Sequence, residues 1–188
     1  KNKFFFHEKF KIKYYFNFMD KSYFYKFYPK KYPYKTIIFG LESALYQDIK
    51  PYDERIKNKI LNSGVIGKTT IKSRVANKII NPKRSSWYFY KLRTLCNKLK
   101  YVEHARDIEK KYKKKDYSYI LSQYRAAIGA TTFYPTIKYW EISASGCLAF
   151  LEITKENQGE YLGYKDNETA IFINEKNYEK KFKKYLND

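Results

Sequence analysis

The chain has 188 residues, with 39 Lys or Arg against 19 Asp or Glu and a formal charge of +20. Its 44% hydrophobic content is too high for wholesale disorder and supports a sizeable core in one domain, with room for an extra segment. No apolar run approaches the ~18 residues of a spanning helix, and Lys1-Asn-Lys-Phe-Phe-Phe-His7 is too short an apolar stretch for a signal peptide.

In chain order, residues 1–35 come first as a basic, aromatic, low-complexity segment, read as the remainder of a preceding domain, its returning helix, or an arm. Thr36-Ile-Ile-Phe39 reads as a short strand closed by Gly40, and Ile56 to Leu61 as a second, closed by Asn62-Ser-Gly64. Ser85 or Ser86 can cap a helix with Tyr88, Leu92, Leu95 and Leu99 on one face. Lys110 to Lys115 reads as a solvated helix end or loop. Asp116 can cap a helix carrying Tyr117, Ile120, Leu121 and Tyr124, followed by a strand at Ala126 to Ala130. A helix over Ile137 to Ser145 stops at Gly146. Cys147 to Leu151 and Thr169 to Ile173 are buried strands, and Asn174 or Asn177 opens a final helix with Tyr178, Phe182 and Tyr185. Strand and helix alternate from about residue 56 to the C-terminus, which predicts that residues 36–188 form an α/β domain: a Rossmann-like parallel sheet with helices on both faces. Its ligand loops would follow the strands at 61, 130, 151 and 173.

The charge is concentrated in the first hundred residues, whereas residues 141–188 hold 7 basic and 9 acidic residues. Of the 39 basic residues only 6 are Arg, a skew that AT-rich coding produces without any functional cause. Two cysteines, Cys96 and Cys147, cannot form a disulfide framework or a four-thiolate zinc site, and are expected as buried free thiols. His7 and His104 lack metal-ligand spacing. These counts predict a soluble, cytoplasmic protein.

Gly64-Val-Ile-Gly67-Lys68-Thr69 contains the second half of a phosphate-binding loop, but Asn62 stands where the first Gly is needed. A second constellation, Lys138-Tyr-Trp-Glu141-Ile-Ser-Ala144-Ser-Gly146, leads into the strand at Cys147. Lys138 and Glu141 share a helix face. The ammonium and the helix amides can neutralise a diphosphate, and the carboxylate can accept both hydrogens of a ribose diol. An ordinary salt bridge with a Gly cap accounts for the same spacing.

Glu141-Ile-Ser-Ala144-Ser-Gly146 resembles the Glu-x-x-Ala-(Ser/Cys)-Gly segment of the nucleotide-sugar-binding half of GT-B glycosyltransferases. Leu162-Gly163-Tyr164, Thr169-Ala-Ile-Phe172 and Trp87-Tyr-Phe-Tyr90-Lys-Leu92-Arg93 resemble segments of the subgroup related to spore-maturation glycosyltransferases. The resemblance covers residues 36–188. It implies one half of a GT-B fold that binds a nucleoside-diphosphate sugar and transfers the sugar to an acceptor without an obligatory metal or other cofactor. It places Gly64, Arg93, Lys138, Glu141, Ser145 and Gly146 at the donor site, with Glu141 on the ribose and Lys138 facing the diphosphate or sugar. The position eight before Glu141, a Glu in many retaining members, is Phe133. A GT-B active site lies between two domains, so a second domain or partner chain would complete it. Two alternatives stand beside this reading: an inactive partner-binding relative, and a basic nucleic-acid-binding module, the latter disfavoured by the scarcity of Arg and of any nucleic-acid signature.

Overall fold

A computed structural model describes residues 4–80, 85–104 and 116–187. The run at residues 110–115 lies outside them. Contacts divide the chain into two compact units, Lys1–Gly40 and Leu41–Asp188.

The first unit holds α1 (Phe5–Lys9), β1 (Tyr15–Asn17), α2 (Lys21–Phe24) and β2 (Tyr34–Thr36). The two strands pair in parallel, Tyr15 against Tyr34. Asp20 caps α2 by accepting from the Ser22 amide at 2.8 Å. The interior is built of rings: Phe24 stacks on Tyr28 at 4.4 Å and on Tyr34 at 4.3 Å, and His7 packs against Tyr15 and Tyr32. The strand expected at Thr36 to Phe39 is corrected here. Regular pairing ends at Thr36, because β1 offers partners only as far as Asn17, and Ile37 and Ile38 are exposed. The first unit runs to Gly40.

The second unit contains β3 (Ile56–Asn62), α3 (Ile71–Ile80), α4 (Ser86–Phe89), α5 (Lys91–Cys96), β4 (Val102–His104), α6 (Tyr117–Ser122), β5 (Tyr124–Gly129), α7 (Lys138–Ala144), β6 (Leu148–Leu151), β7 (Ile171–Phe172) and α8 (Tyr178–Asn187). All pairings in its five-stranded sheet are parallel, in the order β4-β3-β5-β6-β7. Alternate residues of each strand face opposite layers, as strand geometry requires. Leu61, Ala127, Ala149 and Leu151 pack with Ile120, Leu121, Tyr139 and Ile142 of α6 and α7. Ile60, Ala126, Ile128, Phe150 and Ile171 pack with Leu92 and Cys96 of α5 and Phe182 of α8. Burial on both faces explains why residues 126–129 and 148–151 read as continuous apolar runs, and it gives the Rossmann-like layering expected from the sequence.

Local details differ from expectation. The helix after Ser85 is two helices: Ser85 accepts from the Tyr88 amide at 3.2 Å, but Tyr90 leaves helical geometry at φ −117°, ψ 31° and starts α5. Asp116 occupies the N-cap position of α6 with no side-chain cap bond. At three residues β4 is too short to show a period in sequence, whereas α3 does carry one, with Ile71, Val75 and Ile79 recurring every fourth residue. Cys96 and Cys147 are buried free thiols.

Candidate functional site

Counted within the second unit, the sheet runs second-first-third-fourth-fifth strand, so the winding reverses between β3 and β5. In open parallel sheets such a switch point opens a crevice beyond the carboxyl ends of the two strands, where ligands bind. Here that crevice lies between the segment after β3, starting at Ser63-Gly64-Val65, and the segment after β5, starting at Ala130-Thr131-Thr132.

Three of the expected site residues meet there. Gly64 has φ +93°, and a Cβ on it would stand 2.8 Å from Arg93 Nη1 and 3.1 Å from Lys138 Cε. Glycine is required on both counts, backbone conformation and space. The Gly64 carbonyl lies 2.9 Å from His104 Nε2, which ties the end of β4 to the same loop. The Lys138 ammonium sits 3.9 Å above the Tyr117 ring, and the Tyr117 hydroxyl is hydrogen-bonded to Ser63 Oγ. Burial pushes the Tyr117 hydroxyl well above its ordinary pKa, so it stays protonated beside the ammonium.

Arg93 is 2% exposed. Its Nη1 donates to Val65 O at 3.2 Å and its Nη2 to Ala130 O at 2.7 Å, so one guanidinium joins the two segments that bound the crevice. Asn62 supports it by donating from Nδ2 to the Arg93 carbonyl at 3.0 Å. The Arg93 charge is buried and engaged with backbone carbonyls of both segments, which it holds in position. Tyr139 N–H donates to Thr136 O, and Trp140 and Glu141 N–H donate to Ile137 O, at 3.0–3.1 Å, so the first turn of α7 spends these donors on its own backbone.

Glu141 follows Lys138 by one helical turn and is half-buried. Burial raises its carboxyl pKa, and the Lys138 charge opposes that rise. Its charge is also felt at Tyr46 and Tyr117. Ser145 and Gly146 are not brought to this place. Ser145 Oγ donates to the Glu141 carbonyl at 2.8 Å, and the Ser145 carbonyl accepts from Arg55 Nη1 at 2.8 Å. Gly146, at φ +66°, is a tight exit whose Cβ would approach Arg55 Nη2 at 3.2 Å. Arg55 precedes β3 and Gly64 follows it, so Ser145 and Gly146 lie toward the other end of the strands from the crevice. They shape the return from α7 into β6.

The half phosphate-loop motif also serves packing. The Gly67 amide donates to Thr94 Oγ1 at 2.7 Å, and a Cβ there would meet the Trp87 backbone at 2.6 Å, so this loop lies against α4 and α5 instead of curling around an anion. Among the described residues no group of three or more His, Cys, Asp or Glu is placed to hold a metal ion. No helix among them is long and apolar enough to cross a membrane.

No protein-family model matches the chain, and no curated protein matches its sequence. Two solved structures are similar in backbone course. One is the pneumococcal O-GlcNAc transferase GtfA in complex with UDP and GlcNAc, at 15% identity and TM-score 0.49, covering 99% of this chain and 39% of that one. The other is the GtfA/B complex, at 15% identity and TM-score 0.46, covering 92% of this chain and 37% of that one. The chain thus spans about two fifths of the solved chains it matches.

Glu152 and Asn157 carried no functional signal in the sequence. Glu152 directly follows β6 and is 7% exposed. Burial raises its carboxyl pKa to about 7 despite the nearby Arg93 charge. Tyr139, fully buried, donates from its hydroxyl to the Glu152 carbonyl at 3.0 Å, and Asn157 Nδ2 donates to that carbonyl and to Thr131 O. Phe133 packs at 5.4 Å from both the Tyr88 and Phe89 rings, so an aromatic cluster occupies the position of the expected second Glu. Glu152 was visible only as a charged residue ending an apolar strand.

Proposed function

We propose that residues 41–188 form the donor-binding half of a GT-B-like glycosyltransferase, taking a nucleoside diphosphate sugar at the switch-point crevice. The observation that carries this reading is the packing of Lys138 onto Gly64 at the meeting of β3 and β5, with Glu141 one helical turn behind it. The ammonium would neutralise the diphosphate, and the Glu141 carboxylate would accept the ribose hydroxyls. In transfer, the bond from the anomeric carbon to the diphosphate oxygen breaks and the departing diphosphate keeps the electron pair. Lys138 stabilises that growing charge in a site already shaped for it. The acceptor oxygen bonds to the anomeric carbon and gives up its proton to a base outside this unit, supplied by a second domain or a partner chain. The proposed chemistry needs neither an obligatory metal nor another cofactor.

Calorimetric titration with UDP and GDP tests this. One of the two should bind, and Lys138→Ala and Glu141→Ala should each weaken it at least about tenfold, the scale of one lost charge-assisted contact. If neither nucleotide binds, or both variants bind as the parent does, the reading is wrong. Phe133 favours a second reading, a chain that binds the nucleotide without turning it over, because it puts a ring where many retaining members carry a carboxylate. A turnover assay with UDP- and GDP-sugars separates the two.

A further inference from the structure

The first unit has a surface that the donor site does not use. Nine of the sixteen exposed large hydrophobic side chains among the described residues belong to its short length. Five rings stand more than half exposed in one stretch: Phe5, Phe6, Phe10, Tyr14 and Phe16. Phe6 and Phe10 lie parallel at 6.1 Å, and Tyr14 and Phe16 pair at 6.4 Å, so the rings are grouped along the chain in two exposed sets. Lys9, Lys11 and Lys13 alternate with them, and the Lys9 ammonium rests 5.6 Å and 5.7 Å from the Phe5 and Phe10 centroids. Across residues 1–40 there are ten Lys and no Arg, against Glu8 and Asp20 alone. The buried interior is small, with Phe24 and Tyr32 its buried hydrophobic side chains.

We propose that this unit docks on an anionic lipid surface. Apolar rings interleaved with lysines match the boundary between headgroups and acyl chains, where the ring enters and the ammonium stays with the phosphates. An excess of eight positive charges in forty residues supplies the complementary field. A single-stranded nucleic acid would also attract lysines and rings, but two features favour lipid. The exposed set includes the aliphatic Ile12, Ile37 and Ile38, which partition into acyl chains and offer no face for base stacking. Every basic residue of the unit is Lys, with no guanidinium fork for phosphate or base edges. The inference stands on this unit alone and is independent of the donor site.

Cosedimentation of the whole chain with phosphatidylcholine vesicles, with and without about a quarter phosphatidylglycerol, tests it. Binding should require the anionic lipid and weaken between about 50 and about 500 mM salt. The triple change Lys9→Gln, Lys11→Gln, Lys13→Gln should lower the partition coefficient about a hundredfold, close to fivefold per lysine. Phe6→Ser with Phe10→Ser should lower it at least about tenfold, with the far-ultraviolet circular dichroism of the parent retained. Equal binding to neutral vesicles, or no binding to anionic ones, overturns the proposal without reference to any variant. A single-stranded oligonucleotide that binds more tightly than the vesicles, and is lost through the same substitutions, overturns it in favour of nucleic acid.

Discussion

Replacing Gly64 by Ala brings two separable costs. The first is the backbone: at φ +93° a side chain costs about 1–2 kcal/mol relative to glycine. The second is the contact at 2.8 Å with Arg93 Nη1 and at 3.1 Å with Lys138 Cε. A flexible side-chain end would ordinarily swing aside cheaply. Arg93 cannot, because the same Nη1 is held by Val65 O and its Nη2 by Ala130 O in a fully buried site. Moving it sacrifices at least one hydrogen bond of a charged donor, about 1.5–3 kcal/mol. Gly64→Ala should therefore lose about 3–5 kcal/mol in urea unfolding, from the sum of these terms. Gly163 provides the control: its φ is +80°, but nothing lies within 4 Å of its Cβ position, so Gly163→Ala should lose only the backbone share, about 1–2 kcal/mol. Equal losses at the two positions would refute the close-approach reasoning and leave backbone conformation as the whole effect.

Arg93→Lys keeps the charge but not the fork that bridges Val65 O and Ala130 O, so it should cost about 2–4 kcal/mol in the same assay and loosen the two crevice segments to hydrogen exchange; a loss under about 0.5 kcal/mol would show that the bridge holds nothing. For Glu152, burial raises the folded-state pKa from 4.5 to about 7, so the folded chain keeps the proton to higher pH than the unfolded chain. Its contribution to stability is fully present below the ordinary carboxylate pKa and is lost as pH rises to about 7. Glu152→Gln should therefore gain on the parent across that window, by on the order of 3 kcal/mol between pH 4 and pH 8; a difference between the two proteins that does not change with pH would refute the assignment.

Much of the second unit was legible because a parallel sheet buried on both faces writes itself as short apolar runs. Cys147 to Leu151 needed no context, since every residue there packs on one layer or the other. Ser85 was legible as a cap because the hydroxyl acts within its own turn. Thr36 to Phe39 was misread because three apolar residues beside a glycine fit a loop as well as a strand, and only β1 decided how far pairing ran. Within the site, the Lys138 and Glu141 spacing was local and visible. That Arg93 is a buried bridge, and that Ser145 and Gly146 stand toward the opposite ends of the strands, depends on which strand ends share a side of the sheet. A spacing along the chain contains no such information.

The sequence by itself determined the α/β alternation, the helix face shared by Lys138 and Glu141, the missing first glycine of the phosphate loop and the basic, aromatic character of the first forty residues. Each depends on residues only a few positions apart. Tertiary structure alone decided the strand order and the reversal of winding between β3 and β5. It also decided the convergence of Gly64, Arg93, Lys138 and His104, whose sequence separations reach 74 residues. The physical reason is that hydrophobic burial is non-directional. It tells each segment to be inside, while the position of one segment beside another is set by the pairing of strands and the close approach that a single glycine allows.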